Sequence, residues 1–555
     1  MKCKWFITGI AGACLLASVP AAAQNGKLFG LSYFGVETMA QFSQSNTAAF
    51  GTARSSAMGG AFTSLGGDLA SIAINPAGLG MYRSSEFGFS IALNASSLQQ
   101  NCPDPGFRNF DNNRTRFGFN NVAYAMNLYQ GSGALTSFTF AVGYNKIADF
   151  NQRSTIFLPN NFENSTEAPS IGTVWAQQLQ GISANTLGNG DNTYYNYAPS
   201  LWSAIAGYDA YMIDSDGTDR YALTSVDPQS DIDHQLRSIS TGSIGEYSFS
   251  GGFNFDNRIY FGLGIGLQDI YLNQEEYYGE TYYNNPVGGL GDPNYRNYLS
   301  YMDYSQRMKF SGSAVNLKIG VIARPIDPLR IGLSFQTPSW MVLRSEYGAE
   351  VYTKFNGKDP VDGQDSYFGS TILSTPEYRF STPPRLSAGL SYTFGEMGVL
   401  SADYERVWYT GMRLNNASVE RENFKTGAKE IFQGTNNVRV GGEFKPVPAW
   451  ALRAGFAYAG MPMRDWDKGN GTIVKGKNVT FDLPLAQDSY NVSGGAGYRF
   501  PGGSIDLSYV YMHTNYSSYD LFYYEDSNFS VAQSNHNITP VKNNHLVTLS
   551  LAFRF

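Results

Sequence analysis

The sequence predicts an all-β protein: a transmembrane antiparallel β-barrel of about 14 strands, with a small N-terminal hatch of short helical turns inside its lumen. Three observations favour this fold class. Charged side chains make up 15% of the 555 residues, against about 25% in an ordinary soluble domain, and aromatic side chains also reach 15%. From Glu86 onward, segments of about ten residues alternate apolar with small or polar side chains. The connections between these segments alternate between tight turns and long polar loops, which is typical of outer-membrane barrels.

Residues 1–23 have the pattern of a secretory signal peptide. Lys2 and Lys4 precede an apolar stretch over residues 5–19, and a run of small residues ends at Ala23. This order of basic, apolar and small-residue regions predicts cleavage after Ala23 and export by the Sec route. The alternative is a lipoprotein that begins at Cys14, which is disfavoured because the residues before Cys14 lack a bulky apolar side chain.

Residues 24–85 do not follow the strand pattern and predict a hatch, or plug. Ala, Gly and Ser dominate this segment, and the pairs Gly59-Gly60 and Gly66-Gly67 break any long helix. Roughly sixty residues are too few for a good independent core, so we expect the segment to pack inside the barrel lumen. Isolated apolar side chains between the glycines are predicted either to contact a hydrophobic ligand or to anchor the plug: Phe62, Leu65, Leu69, Ile72, Ile74 and Leu79.

A second group of hatch residues is predicted to be structural and to take part in gating: Gly59, Gly60, Asn75, Pro76, Ala77 and Gly78. The Asn75 side chain can cap nearby backbone groups, and the fixed φ angle of Pro76 sets the chain direction. We therefore expect Asn75 and Pro76 to hold the hatch turn rather than to contact ligand.

Residues 86–555 contain the predicted barrel. The strand pattern occurs about fourteen times, near 86–97, 116–128, 135–147, 245–255, 258–271, 308–323, 329–343, 376–394, 397–411, 434–446, 449–460, 490–500, 503–514 and 544–555. The long connections, which we assign to the external side, are 148–244, 272–307, 344–375, 412–433, 461–489 and 515–543. A soluble β-sandwich gives no reason for such regular separation of short and long connections, so the pattern favours a membrane barrel.

The last predicted strand has the two faces that a membrane barrel needs. Apolar side chains at odd positions from Val547 to Phe555 alternate with small or polar ones from Thr548 to Arg554. The terminal Phe555 resembles the signal that the barrel assembly machinery uses, the alternative being an ordinary edge strand. Together with the signal peptide, it predicts a barrel in the outer membrane of a Gram-negative bacterium. We expect a monomer in contact with outer-membrane lipid and lipopolysaccharide.

Strand parity places four charged side chains in the predicted lumen: Asp403, Glu405, Arg439 and Arg453. We expect them to pair across neighbouring strands in a network that ties the wall to the hatch, because buried charges need partners. The alternative is that one of the two arginines meets a substrate carboxylate.

Composition and motif spacing exclude several function classes. The mean hydropathy is −0.27, and no run of about 18 apolar residues follows the signal, which excludes a helical transporter. A net charge of −7 with scattered Lys and Arg gives no electrostatic footprint for nucleic acid. The four histidines, at 234, 513, 536 and 545, have no metal-ligand or catalytic-triad spacing. The sequence therefore predicts a protein that is not an enzyme and has no metal site and no cofactor.

Several motifs together resemble a known family. They are MGGAF at 58–62, NPAGL at 75–79, TPPRLSAGLSYTFG at 382–395, SADYERVWY at 401–409 and the terminal Phe555. With the predicted strand number, they resemble the FadL/TodX type of long-chain fatty-acid transporters of Gram-negative outer membranes, most of all the versions from Bacteroidetes. The resemblance runs over the whole mature chain.

The resemblance implies a plugged barrel through which a hydrophobic substrate passes from an external groove. It also implies a lateral exit through a gap in the wall, at a kinked third strand. Gly143 in the third predicted strand is either this kink or a lumen-facing glycine that makes room for the hatch.

The resulting hypothesis is passive, hatch-gated transport of hydrophobic small molecules across the outer membrane, with long-chain fatty acids as the first candidates. One alternative is a non-transporting barrel of the same fold that acts as a shuttle or scaffold in type IX protein secretion. Another is a general diffusion porin, against which the predicted plug argues because a porin has an open polar lumen.

Overall fold

The computed structural model describes residues 41–43, 49–159, 170–187, 194, 196–197, 201–227, 230–283, 298–359, 361–373, 375, 377–415, 425, 428–429, 432–462, 486–519, 521, 523–525, 531–533 and 538–555. The predicted signal peptide, the first part of the predicted hatch and most of the predicted loop 461–489 lie outside the described residues.

Fourteen strands form the wall of the barrel. In chain order they are β1 Glu86–Asn101, β2 Asn113–Gln130, β3 Leu135–Asp149, β4 Asp231–Phe255, β5 Ile259–Tyr283, β6 Leu299–Ile326, β7 Leu329–Gln336 with Trp340–Phe355, β8 Glu377–Ser381 with Arg385–Phe394, β9 Gly398–Trp408, β10 Gly434–Val447, β11 Trp450–Ala459, β12 Ala486–Phe500, β13 Gly503–Tyr516 and β14 Thr539–Arg554. Neighbouring strands are antiparallel, and β1 pairs with β14 from Glu86↔Arg554 to Asn101↔Thr539. The predicted closed antiparallel barrel is therefore confirmed.

Side-chain alternation separates an apolar outer face from the lumen. In β14, Val547 is 39% exposed on the outer face, whereas Thr548 is fully buried on the inner face. Leu263, Ile265 and Leu267 of β5 also point outward, and exposed apolar side chains occur on strands all around the barrel. Such a large exposed apolar belt is stable only against lipid. The chain is a membrane-spanning barrel of the outer-membrane type.

Tight turns join the strands at one end of the barrel. In the β4–β5 turn, Asp256 and Asn257 have φ angles of 51° and 55°, the left-handed values that a two-residue hairpin requires. Gly395 and Gly502 supply left-handed φ angles of 57° and 82° in two further turns. The long connections leave the opposite end, which we take as the external side because outer-membrane barrels have short periplasmic turns.

Strands β4, β5 and β6 are longer than the sequence pattern predicts. They continue through parts of the predicted loops 148–244 and 272–307. In these extensions the apolar side chains point inward: Leu272 and Tyr278 of β5 are buried, while Tyr277 points outward. Above the membrane the outer face meets water instead of lipid, so the hydrophobic pattern changes parity although the strand itself continues.

Short helices belong to the hatch and to the β3–β4 connection. They are α1 Ala53–Ala57, α2 Ser71–Ile74, α3 Ile171–Leu179 and α4 Trp202–Asp209, with 3-10 turns at Pro76–Met81 and Ala184–Thr186. A further 3-10 turn, Tyr409–Gly411, follows β9. Within the described ranges, no helix has the length and apolar character needed to cross a membrane. Trp175 of α3 packs edge-on against Tyr304 of β6, with ring centroids 5.2 Å apart. We call α3 and α4 the external cap, since they cover the inner face of the long strands.

The remaining strands are short and flank the wall. They are Gln152–Leu158 after β3, Arg108–Phe110, Ser366–Ser370, Arg413–Leu414, and two hairpins formed by Asp214–Ser215 with Tyr221–Ala222 and by Tyr523–Glu525 with Val531–Gln533.

Candidate functional site

The hatch rests against lumen-facing glycines of the wall. A methyl group on Gly262 of β5 would overlap the hatch backbone at Pro76, and one on Gly320 of β6 would overlap the side chain of Asn75. The missing side chains let the hatch backbone approach the wall closely. We call Gly262 and Gly320 the hatch seat.

Asn75 connects two parts of the hatch with the wall. Its Oδ1 accepts a hydrogen bond of 3.1 Å from the Ala77 N–H. Its Nδ2 donates to the carbonyl of Thr63 at 2.6 Å and to that of Leu333 in β7 at 3.3 Å. Pro76 follows as the first residue of the 3-10 turn, where the missing N–H would have had no helical partner.

The predicted hatch glycines occupy close-approach positions. Gly59 and Gly60 have left-handed φ angles of 63° and 73°. A Cβ on Gly59 would also lie 2.9 Å from the carbonyl oxygen of Phe456 in β11, and a Cβ on Gly78 would lie 2.7 Å from the Cα of Gly66. The glycines thus allow the hatch to contact the wall and to fold against itself.

The six apolar hatch residues of the sequence analysis all take part in packing between the hatch and the wall. One group, packed near Val399 of β9, contains Phe62, Leu65 and Ile74. The other group, packed against alanines of β2 and β3, contains Leu69, Ile72 and Leu79. These contacts anchor the hatch, and a direct contact with ligand stays a prediction.

Two of the predicted lumen acids make contacts at β9. Glu405 accepts a hydrogen bond of 2.9 Å from Nη2 of Arg439 on the neighbouring strand β10. Asp403 accepts one of 2.8 Å from the backbone N–H of Thr63 in the hatch. The first contact links two strands, and the second links the wall to the hatch.

Arg453 belongs to a separate cluster of charges. It lies 2.7 Å from Glu443 of β10 and 2.7 Å from Asp506 of β13. Arg54 of α1 also pairs with Glu443, at 3.0 Å. Sequence analysis missed Arg54, Glu443 and Asp506, although strand parity would have placed the two acids in the lumen.

Another buried polar cluster lies on β4, β5 and β6, between the hatch seat and the external end. Lys318 forms an ion pair with Glu246. The amides of Asn316 and Gln268 donate to the same carboxylate at 2.8 and 3.0 Å. This cluster was not predicted. Together with the hatch, it places charged groups along the axial path on this side of the lumen.

A large apolar cluster lies above these polar groups, and we call it the external apolar cluster. It combines the inner face of the long strands with the external cap. Phe42 belongs to it, with its ring centroid 5.9 Å from that of Phe150 and 5.3 Å from that of Phe310. Ile147 and Ala148, near the end of β3, are also members. The apolar interior therefore continues from the cap to β3.

Glu280 of β5 fastens the external cap to the wall. Its carboxylate accepts hydrogen bonds from the Ser170 hydroxyl at 2.6 Å and from the Ile171 N–H, at the start of α3, at 2.8 Å. The hydroxyls of Tyr278 and Tyr282 donate to it at 2.6 Å each. A carboxylate at this position satisfies the N-terminal donors of α3 and interacts favourably with the helix dipole.

Hydroxyl groups also fix α4. The Ser203 hydroxyl lies 2.7 Å from that of Tyr304 and 3.0 Å from that of Tyr347, both on wall strands. At the other end of α4, the Tyr194 hydroxyl donates to Asp209 at 2.9 Å. Burial raises the pKa of Asp209, and this hydrogen bond partly offsets the rise. Specific polar contacts, in addition to apolar packing, therefore hold the cap.

The backbone ladder of the wall is interrupted between β2 and β3. Their pairing ends at Asn121↔Asn145, above which β2 pairs only with β1 in the part of the chain described. The continuation of β3, Gln152–Leu158, pairs with β4. We call the gap between residues 115–120 of β2 and 146–149 of β3 the window.

Gly143 does not form the break. The ladder is regular at Gly143, which lies opposite Ala123, and a Cβ there would lie 2.6 Å from the Cβ of Ala123. The register shift between β3 and β4 lies at Lys146 and Ala148. Gly143 thus allows close packing between β2 and β3, and its two predicted roles, as a wall kink or as a glycine that makes room for the hatch, stay predictions.

Apolar groups border the window on both sides of the wall. On the outer face, Phe117 and Phe119 are 66% and 55% exposed. On the inner side, Ile147 belongs to the external apolar cluster. Arg114 reaches across the upper end, where its Nη1 donates to the carbonyl of Ser240 in β4 at 3.1 Å. The window thus connects the apolar interior with the apolar outer belt.

Known proteins resemble this chain at the level of structure. No family model and no curated protein matches it. A Pseudomonas aeruginosa FadL homologue is 14% identical, with 92% of this chain and 98% of that chain covered and a TM-score of 0.47. The Pseudomonas putida toluene transporter TodX is 12% identical, with 95% and 100% covered and a TM-score of 0.45. The Ralstonia pickettii toluene transporter TbuX is 14% identical, with 91% and 98% covered and a TM-score of 0.45.

These solved structures carry the names of the FadL/TodX type that the sequence motifs resemble. At such identities and TM-scores the similarity concerns the fold alone. The candidate site of this chain is defined by its own contacts: the hatch, the external apolar cluster and the window.

Gly262→Val is expected to weaken the docking of the hatch. The new side chain would overlap the hatch backbone, and overpacking of this kind costs about 1–3 kcal/mol. Thermal unfolding of the purified barrel, followed by its heat-dependent gel mobility, should shift to lower temperature. Gly494→Val is the control, because a Cβ at Gly494 meets its nearest heavy atom at 3.7 Å. Equal melting of the two variants would contradict the proposed seat.

Glu280→Gln is expected to loosen the external cap while the barrel stays folded. In glutamine an NH2 group replaces one carboxylate oxygen, so its N–H groups would face N–H and O–H groups that now donate to that oxygen. Leaving such buried donors without an acceptor costs about 1–3 kcal/mol. Limited proteolysis should cleave the β3–β4 connection faster in the variant. Glu275→Gln on the outer face of β5 is the matched control and should be cleaved like the wild type. Equal cleavage of the two variants would rule out the role of Glu280 in holding the external cap.

Proposed function

We propose that this protein is an outer-membrane channel for hydrophobic compounds, which enter through the external apolar cluster and leave sideways through the window. The observation that carries this proposal is the continuity of the external apolar cluster with the broken edge of β3 at Ile147 and Ala148. An apolar molecule on this path meets apolar groups on the inner side of the window and Phe117 and Phe119 on its outer side.

The alternative axial path is unfavourable for an apolar molecule. The hatch lies across it, and the Glu246–Lys318 and Arg54–Glu443 ion pairs lie beside it. A molecule that separates such a buried ion pair leaves each charge without its partner. The free-energy cost is several times larger than the free energy gained from a single apolar contact. Burial of a dozen methylene groups contributes about 10 kcal/mol before the cost of association, which suffices for reversible binding along the apolar path.

Long-chain fatty acids are the first candidates for the transported compound, and we propose movement of the hatch as the gate. Apolar packing, the Arg54–Glu443 ion pair and hydrogen bonds such as Thr63 to Asp403 and Asn75 to Leu333 hold the hatch to the wall, so movement of the hatch requires these contacts to break together. Contact of ligand with Phe62 and Leu65, which pack near Val399 of β9, stays a prediction that belongs to the axial path and is not part of the lateral path proposed here.

Gly118→Trp is expected to block the window. A Cβ at Gly118 of β2 has no heavy atom within 4 Å, so a large side chain can fill the gap without displacing the wall. Uptake of labelled palmitate by a Gram-negative host without a fatty-acid channel of its own should fall at least about fivefold, since the exit is sterically closed. Gly133→Trp is the matched control, because Gly133 has equally open space but lies in the β2–β3 turn at the other end of the barrel.

Surface expression and heat-dependent gel mobility of both variants show whether each barrel is folded. Full uptake by a folded Gly118→Trp barrel would exclude the window as the exit. Wild-type uptake no higher than that of the host alone would exclude palmitate as a transported compound.

A further inference from the structure

Three cations near the window have only neutral hydrogen-bond partners, or none. Lys542 of β14 faces the lumen and is only 9% exposed, and its Nζ donates to Oε1 of Gln152 at 3.4 Å. Arg114 of β2 donates to the carbonyls of Gln152 and Ser240 at 3.4 and 3.1 Å. Arg116 of β2 is exposed at the window and makes no ion pair with any described residue. None of the three is paired with a carboxylate in the described part of the chain.

The acidic groups nearby are already engaged. Asp149 of β3 forms an ion pair with Lys146 and accepts hydrogen bonds from the backbone and side chain of Asn151 at 2.9 and 2.7 Å. Asp111 pairs with Arg153 at 2.9 Å on the exposed side. The region therefore carries an excess of positive charge, although the whole chain has a net charge of −7.

This arrangement is costly for a protein without a ligand. A nearly buried lysine without a carboxylate loses hydration and gains no ion pair in return. Arg114 lies close enough to Arg116 and Arg153 for their like charges to repel. A bound anion would remove both penalties, and guanidinium groups bind carboxylates and phosphates with particular strength.

Apolar side chains lie next to these cations, where an alkyl chain attached to the anion would pack. Phe117 and Phe119 on β2 are exposed towards the lipid, on the same edge of the window that carries Arg114 and Arg116. Phe50 of the hatch lies on the inner side, with the Lys146 ammonium 5.3 Å from its ring centroid. A charged head and an apolar tail can therefore be bound side by side.

We propose that Lys542 and Arg114, which both donate to Gln152, together with Arg116 on the same strand as Arg114, bind the anionic head group of an amphiphile whose alkyl chain lies against the phenylalanines of the window. A fatty carboxylate in transit and the phosphate of an outer-leaflet lipid share this chemistry. The site follows from the fixed charges at the window and holds whether or not the window conducts, so it goes beyond the proposed channel function.

The test compares amphiphiles of matched chain length on the full barrel in nanodiscs of zwitterionic lipid. Palmitate is expected to bind about tenfold more tightly than hexadecanol, since a charge-assisted contact distinguishes them. Lys542→Met and Arg116→Gln should reduce this preference to about twofold or less, and Lys542→Arg should retain it. Lys309→Met is the control, because Lys309 lies on the outer wall with Glu346 as its own partner at 3.3 Å.

Equal affinity of the wild type for palmitate and hexadecanol, together with lipid A binding that is unaffected by Arg116→Gln, would overturn the proposal. So would full retention of the palmitate preference in both Lys542→Met and Arg116→Gln, when lipid A binding is also unaffected by Arg116→Gln. Arg116 is exposed, so its substitution reports on the site even where Lys542→Met fails to fold. A parallel titration with diphosphoryl lipid A separates the two sources. Dependence of palmitate binding on Arg116 assigns the site to the transported molecule, and dependence of lipid A binding assigns it to a resident lipid.

Discussion

Closure of the backbone hydrogen-bond ladder in lipid is the constraint on which the rest of this structure depends. No water is present there to satisfy an open strand edge, so the strands must pair around the whole circumference. The window departs from this rule, and side chains replace the ladder at its ends. Asn121 donates to Asn145 at 2.7 Å below the gap, and Arg114 donates to a β4 carbonyl above it. These side-chain hydrogen bonds offset part of the free-energy cost of the interrupted backbone ladder.

Closing fourteen strands leaves a lumen that must be filled, and this chain fills it in layers. The hatch rests on glycines near the periplasmic turns, because only positions without a side chain let its backbone reach the wall. Ion pairs form the next layer: Arg54–Glu443 joins the hatch to the wall, and Glu246–Lys318 joins two wall strands. The external cap completes the filling with apolar side chains, held by Glu280. The order of the layers makes the axis polar and the path to the window apolar.

The same separation gives the window two kinds of surface. Aromatic side chains face the lipid, while Arg114 and Arg116 lie on the part of β2 that pairs with β1 but not with β3, and the nearly buried Lys542 of β14 shares the partner Gln152 with Arg114. A molecule in the window would contact both surfaces at once. An amphiphile is expected to bind these two surfaces more tightly than a pure hydrocarbon. Burial of its alkyl chain lowers the free energy, and its anionic head group forms charge-assisted hydrogen bonds with the cations.

The sequence by itself determined the strand number, the two faces of the strand segments that it predicted and the positions of the tight turns, since these depend on local alternation and on φ angles such as those of Asp256 and Asn257. The assignment of residues 24–85 as a gating hatch stays a prediction, although the Asn75 side chain accepts a hydrogen bond from the Ala77 N–H. Only the tertiary structure decided the Arg54–Glu443 pair, whose members are 389 residues apart, and the Glu246–Lys318 pair, 72 residues apart. The position of the window and the cations around it likewise depend on where β3 leaves β2, which is set by packing between distant strands rather than by any local pattern.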